Sequence, residues 1–382
     1  MVTADYALVG GGLQNGLIAL AVRARRPAAR IAVIERGAAL GGNHTWCFHA
    51  GDVTADQAAW LEPLVAVRWP GYDVAFPGHA RRLDAPYACV TSARLAAVVG
   101  RALDAPGSRL IAGAEAIDVA ADRVAYRSAD GALGEIRAAV VIDARGPGAA
   151  PGAACGWQVF VGRELALAAP HGLDRPIVMD ATVPQIGGLR FLYVLPLAAD
   201  RVLVEDTGVC DAPGLDLAAH RARIAAHVAA RGWAVAEVIR EERGALPLPW
   251  RCDPPRATRP LIAGYAGGWF HPVTGYSFPV AARLAQLIAD CEPDALFGGA
   301  LAAHARAHAR QLRFAARLNR MLFHWFAPAD RYRVLERFYR LPADVIARFY
   351  ALASTAGDRA RILFGRPPRG LSLRGMLGLG VG

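Results

Sequence analysis

Two short, continuously apolar runs separated by a helical stretch open the chain. Tyr6-Ala7-Leu8-Val9 has the length and make-up of a parallel strand buried on both faces, and Gly10-Gly11-Gly12 follows directly. Asn15 and Gly16 introduce a helix-like run, Leu17 to Val22, which ends in Arg25-Arg26-Pro27. A second apolar run, Ile31-Ala32-Val33-Ile34, ends in Glu35-Arg36. Strand, glycine turn, helix, strand and terminal acid make the βαβ pattern that binds dinucleotides. Glycines let backbone approach a pyrophosphate, the helix start offers unpaired N–H groups, and Glu35 can accept from ribose hydroxyls. Gly10 and Gly12 match the first two glycines of G-x-G-x-x-G. Asn15 stands where the third is expected, with Gly16 one place on.

The pattern continues in the same style. The loop from Leu40 to His49 carries Gly42, Asn43 and His44, types that suit contact with a cofactor and equally an ordinary polar turn. Residues 109–142 read as short strands, with Asp130-Gly131 as a hairpin turn. They close in a buried strand, Ala139–Ile142, and a turn holding Ala144 and Gly146 that returns to the nucleotide site. Trp157–Glu164, Arg190–Leu197 and Arg201–Thr207 are strand-like, the last two as a hairpin, and residues 215–231 are helical. Leu261–Gly264 is a strand and glycine turn; a loop with His271 and Gly275 leads into a helix from Val280 to Cys291. Residues 299–365 read as helices.

These elements predict an α/β chain of the two-dinucleotide-fold flavoprotein type, by analogy with its β-meander. A discontinuous Rossmann-like FAD domain would take 1–50, 80–150 and 241–292. A β-sheet substrate domain would take 51–79 and 151–240, and a basic amphipathic helical segment 293–382.

Charge changes the picture at one end. The chain has 382 residues, 54% hydrophobic and 20% charged, with a net charge of +10 and no lysine. Residues 301–382 hold fifteen arginines and four acids, whereas the rest holds 28 and 29. An excess confined to an apolar-rich segment argues against nucleic acid and for an interfacial helix on a membrane surface. A helical segment packed on the body with its arginines solvated fits the same pattern. No run is long enough to span a bilayer, and no signal peptide precedes the first strand, so the expected location is the cytoplasmic side of a membrane. Six cysteines without a C-x-x-C pair read as free thiols. His44 and His49 lack a third ligand at useful spacing, so no metal is expected.

Six stretches in order carry a resemblance. They are the Asn15-Gly16 turn, Gly41-Gly42-Asn43-His44-Thr45-Trp46, Phe191–Leu197, Glu205-Asp206-Thr207, His271–Ser277 and Glu336–Leu341. Together they resemble the bacterial lycopene β-cyclase family, from residue 5 to about 370. Cys47 stands where serine is expected, and Tyr265 where related flavoproteins often carry aspartate. The resemblance implies FAD in its reduced form, NAD(P)H as electron donor, and conversion of the linear ψ-ends of lycopene to β-rings.

Ring closure of such an end needs a proton on an alkene carbon, a shielded cation and loss of a ring proton. A buried carboxyl stays protonated at neutral pH and can supply the first. Glu205 and Asp206 are neighbours on a strand and so face opposite sides of the sheet. The resemblance selects Glu205 as the group at the reaction centre, directly or through the flavin, with Asp206 supporting. His271 would be a base or an orienting group, and Phe191 and Tyr193 would line the substrate pocket. A monooxygenase, a polyprenyl reductase and a non-catalytic flavin-binding module stay open as alternatives.

Overall fold

The computed structural model describes residues 2–146, 155–365, 367–372 and 376, so the boundary expected at 150/151 lies outside the described residues. Strand β1 (Val2–Val9), helix α1 (Leu13–Arg25) and strand β2 (Ile31–Glu35) form the opening unit, with β1 and β2 parallel. Beside β2 runs β8 (Arg109–Ala112), and on the far side of β1 runs β11 (Leu133–Asp143), both parallel to their neighbours. The end of β11 also pairs with β17 (Leu261–Ile262). Its start turns back through β10 (Arg123–Arg127) and β9 (Glu115–Val119), the expected meander. The opening runs are apolar throughout because both faces of the sheet are covered. Tyr6, Leu8 and Val33 pack on α1, α3 (Ser92–Leu103) and α5 (Phe278–Asp290), and Ala7, Val9 and Ile34 pack with Ala116 and Val124 of the meander.

A small antiparallel sheet links the two large ones. It joins β3 (Thr45–His49), β4 (Val67–Trp69) and β7 (Tyr87–Thr91), with α2 (Ala55–Leu61) between its first strands. The second large sheet has, among the described residues, the order β16 (Val235–Pro249), β12 (Cys155–Leu167), β15 (Arg201–Cys210), β14 (Gly188–Ala198), β13 (Ile177–Asp180), β5 (Tyr72–Phe76), β6 (His79–Leu83). One face packs on α4 (Leu217–Ala230) through Val161, Val194, Val204, Ile224 and Val228.

The other face is shared between two covers. Phe323, Phe338 and Phe349 lie over one end, carried by α7 (Leu301–Trp325), α8 (Arg331–Phe338) and α9 (Ala343–Tyr350). Cys47, Tyr87 and Cys89 of the small sheet lie over the other. The single turn α6 (Pro293–Ala295) leads into α7, and α10 (Ala356–Leu363) follows α9.

Two expected boundaries fall inside elements of this sheet. The one at 79/80 cuts the β5–β6 hairpin, and the one at 240/241 cuts β16, which pairs along β12. The C-terminal segment also differs from an apolar face turned to lipid. Phe314, Leu322, Phe323 and Phe326 are buried against the body. Arg331 is buried too, paired with Asp211 at 2.8 Å and stacked 4.5 Å from the Phe323 ring centre. What remains outside is a ladder of exposed arginines on α7: Arg306, Arg310, Arg313, Arg317 and Arg320. No helix among the described residues is long and apolar enough to cross a membrane.

Candidate active site

The ends of β1, β11 and β17 converge at the start of α1. Gly10 has φ +92°, a left-handed conformation that favours glycine, and a Cβ there would stand 2.8 Å from the Ala144 carbonyl oxygen. Gly264, at φ +63°, lies within 4.0 Å of Ala144 and Gln14 side chains in the same sense. The Asn15 amide donates to the carbonyls of Val9 at 2.9 Å and Gly10 at 2.8 Å, so it braces the turn in place of a third glycine. Gly16 makes the close helix contact instead, against Leu95 and Val99 of α3.

Glu35 accepts from the Gly11 N–H at 2.6 Å and the Gly37 N–H at 2.5 Å, which fixes its carboxylate at the edge of the turn. Arg36 is exposed beside it. Gly12, before the first turn of α1, has nothing within 4 Å of where a Cβ would be, and that turn carries no acid. Open space, free N–H groups and a fixed acid suit a dinucleotide phosphate and its ribose.

The other expected cofactor residues fall around this crevice with different tasks. Gly42 is left-handed at φ +59°, as is Gly146 at +94°. Asn43 donates to the Glu241 carbonyl at 2.8 Å and accepts from Arg240 at 3.1 Å, tying the loop to β16. His44 is exposed and tilted against Trp46. Gly275 accepts from the Tyr265 hydroxyl through its carbonyl, so Tyr265 braces the 270–277 loop. That loop ends at Ser277, before the start of α5.

Glu205 sits on the shared face of the second sheet, between its two covers. Strand alternation puts Leu203, Glu205 and Thr207 on this face, and the register sets Tyr193 opposite Glu205 and Phe191 opposite Thr207. Phe191 and Tyr193 are thus brought to the acid as expected. On the other side Gly162 of β12 lies opposite both Glu205 and Glu242 of β16. A Cβ at Gly162 would meet the Glu242 side chain at 3.1 Å, so a glycine there lets two acids share one row.

Some of the Glu205 surface is open, but the carboxyl lies deep among protein atoms. Burial pushes its pKa up to about 8, reinforced by Glu242 and opposed by a 2.6 Å hydrogen bond from the Thr207 hydroxyl. The carboxyl therefore holds its proton at neutral pH. Burial also raises Glu242, although Arg240 at 2.7 Å and Thr45 at 3.1 Å act against it.

The structure does not bring Asp206 to this place. It points to the opposite face, fully buried, and pairs with Arg190 at 2.6 Å, Arg223 at 2.7 Å and His220 at 2.7 Å. Its pKa is lowered, those partners outweighing the burial that would raise it. Asp206 fastens α4 to the sheet.

His271 is likewise an anchor. Its Nε2 lies 2.9 Å from the Phe349 carbonyl and its Nδ1 accepts from the Val273 N–H at 3.2 Å. Burial lowers it to about 4, and with both nitrogens engaged it has none left to take a substrate proton. Of its two expected roles, orientation fits and proton acceptance does not.

Thr45 lies in the glycine loop expected at the cofactor, whereas Glu242 and Gly162 were missed from sequence. Their one signal was the Glu241-Glu242 pair on a segment whose charged first half hides strand periodicity.

Residues 5–374 match the family model described as lycopene cyclase protein. The chain is 44% identical over 370 residues to a lycopene beta-cyclase of Pantoea ananas, covering 95% of each chain. It is 42% identical over 387 residues to one of a Paracoccus strain, covering 96% of this chain and 95% of the other.

Among solved structures, a p-nitrophenol 4-monooxygenase of Pseudomonas putida superposes with TM-score 0.67 at 17% identity, over 93% and 99% of the two chains. A geranylgeranyl bacteriochlorophyll reductase-like protein of Thermoplasma acidophilum gives 0.63 at 13%, over 95% and 96%. A myxobacterial FAD-dependent halogenase gives 0.59 at 15%, over 99% and 90%. The fold is thus the flavoprotein architecture read from the sequence, and fold alone does not separate cyclase from oxygenase or reductase. Sequence does separate them: this chain belongs to the lycopene cyclase family.

Proposed function

We propose that the chain is a lycopene β-cyclase, an intramolecular lyase or isomerase that turns the linear ψ-ends of lycopene into β-rings, giving γ-carotene and then β-carotene. The observation that carries this is Glu205: a carboxyl protonated up to about pH 8, set between two apolar covers on one sheet face. It donates its proton to an alkene carbon, and the neighbouring tertiary carbon takes the charge. A second double bond closes the six-membered ring, and a ring C–H gives up its proton. One proton enters and one leaves, so substrate and product have equal mass. Phe191, Tyr193 and Leu203 exclude water, which would otherwise capture the cation as an alcohol.

FAD is the proposed cofactor, reduced by NAD(P)H. The Gly10–Gly12 turn and Glu35 would hold its phosphates and ribose, with Gly264, Gly275 and Ala144 close by. When bound and reduced, it supplies negative charge that stabilises a nearby cation. The test is the pigment made by lycopene-producing cells that carry this chain. The expected products are cyclic and isomeric with lycopene; an oxygenated or saturated carotenoid favours the monooxygenase or reductase reading.

The same reading includes contact with a membrane surface, since the substrate dissolves in lipid. Five exposed arginines on α7 support it, because none has an ion-pair partner among the described residues. Exchanging Arg310, Arg313 and Arg317 for glutamine is expected to weaken flotation with anionic vesicles, each charge near the surface being worth about 1 kcal/mol. Unchanged flotation removes this part of the proposal.

A further inference from the structure

The last step of the proposed reaction needs a base, and Glu205 is poorly suited to it. Its new carboxylate lies beside the carbon it has just protonated. The nearest hydrogen is therefore the one it delivered, and removing that restores the linear end. Forward loss of a ring proton calls for an acceptor elsewhere on the substrate.

Such a group lies at the end of β3. His49 is only 6% exposed; its side chain caps the Asp52 turn with Nδ1 facing Asp52, and its Nε2 has no hydrogen-bond partner among the described residues. A buried ring nitrogen without a partner is unfavourable and rare without a task. Asp52 lies beside it with its Oδ2 3.4 Å from the His49 Nδ1. That oxygen accepts from the His49 backbone N–H at 2.8 Å and from the Tyr276 hydroxyl, whereas Oδ1 is buried without a partner. Aromatic rings wall the imidazole: Tyr87 at 4.7 Å, Tyr72 at 5.1 Å and Tyr350 at 5.7 Å between centroids. Phe48 stacks on Phe278, the first residue of α5, at 4.4 Å, so the pair adjoins the 270–277 loop.

One hydroxyl pair lies between this place and the acid. The Tyr87 hydroxyl lies 3.0 Å from that of Tyr193, and Tyr193 is the cross-strand neighbour of Glu205. His49 is in turn the β-partner of Tyr87.

Resting on the cyclase reading, we propose that His49, oriented by Asp52, accepts the ring proton. The ring C–H bond breaks, its electron pair becomes the ring double bond, and the proton forms the second N–H of the imidazolium. His49 then gives this proton to solvent, and Glu205, part of whose surface is open, takes up another from solvent for the other end of the carotenoid. No oxidant or reductant is consumed. His49 is the catalytic base and Asp52 a positioning residue.

The test uses the full chain loaded with reduced FAD. His49→Phe keeps the ring contacts and removes the nitrogens. Flavin content, kcat, KM for lycopene and product identity are measured. The expected result is full flavin content, KM close to the parent's and a kcat lower by about 100-fold. The residual product shifts to a ring isomer or an adduct heavier by one water. Asp52→Asn is expected to lower kcat less, again without a change in KM, and serves alone if His49→Phe does not fold. A kcat within about threefold of the parent, with β-rings as product, overturns the inference, as does a loss confined to KM or flavin content. If the parent cyclises lycopene and the His49 and Asp52 variants do so equally, only this inference fails. A parent that makes no ring overturns the cyclase reading itself.

Discussion

Glu205→Gln is expected to lose at least about 100-fold in cyclisation rate while binding flavin as the parent does. Glutamine keeps the shape and the Thr207 contact but cannot release a proton to an alkene. The pH dependence has a definite sign. With its pKa pushed up to about 8, the parental acid is loaded below that value, and activity falls as pH rises through it.

Stability moves with the same group. An unfolded glutamic acid ionises near its ordinary value of 4.5, so between there and about 8 the folded chain binds more protons than the unfolded one. Parental stability therefore declines with rising pH across this window. Glutamine has no such dependence, so above about pH 8 the variant is expected to melt at the higher temperature of the two. An inactive variant that is also alkali-resistant marks a buried acid; an inactive variant that has merely lost flavin does not. Melting curves and flavin absorbance across the pH range separate these outcomes.

One residue along the chain, Asp206→Asn should do the reverse. The substitution leaves Arg190, Arg223 and His220 around an uncharged amide in a fully buried position. Breaking such a cluster from one side destabilises by about 3–5 kcal/mol. The expected outcome is a large drop in melting temperature with turnover per folded, flavin-loaded molecule close to the parent's. The Asp206 pKa is depressed in the folded state, so its stabilisation is present above the unfolded value and disappears as pH falls through the folded one. The parent should lose more stability on acidification than the variant. If Asp206→Asn folds as well as the parent and is inactive, the opposite-face assignment fails.

The contrast between these neighbours shows how far sequence reaches. A period of two separated Glu205 from Asp206 before any coordinates, because alternation on a strand is a property of the backbone alone. The nucleotide turn was legible for the same reason: Gly10, Asn15 and Glu35 lie on one short βαβ unit where spacing sets position.

Contacts between distant segments were not legible. Glu242 reaches the Glu205 row only through the register of β16 on β12, and β16 begins Val235-Ala236-Glu237, an exposed start with no strand-like alternation. His271 was read beside its own loop, whereas its partner is the Phe349 carbonyl 78 residues on. The arginines of 301–382 looked alike in sequence. The fold sorts them into a buried Arg331, an Arg348 paired with Asp344 and Asp358, and the exposed ladder on α7. His49 stands three residues before Asp52 in the sequence, but its place beside Tyr87 emerges from pairing of β3 with β7.

Deuterium counting tests the central claim most directly. Purified chain with reduced FAD is given lycopene in D2O without oxygen, and the product's mass is read. The account predicts β-carotene carrying one deuterium in each ring, placed there by the Glu205 carboxyl, and none after Glu205→Gln. Unlabelled β-rings, or equal labelling with and without the Glu205 carboxyl, would contradict it.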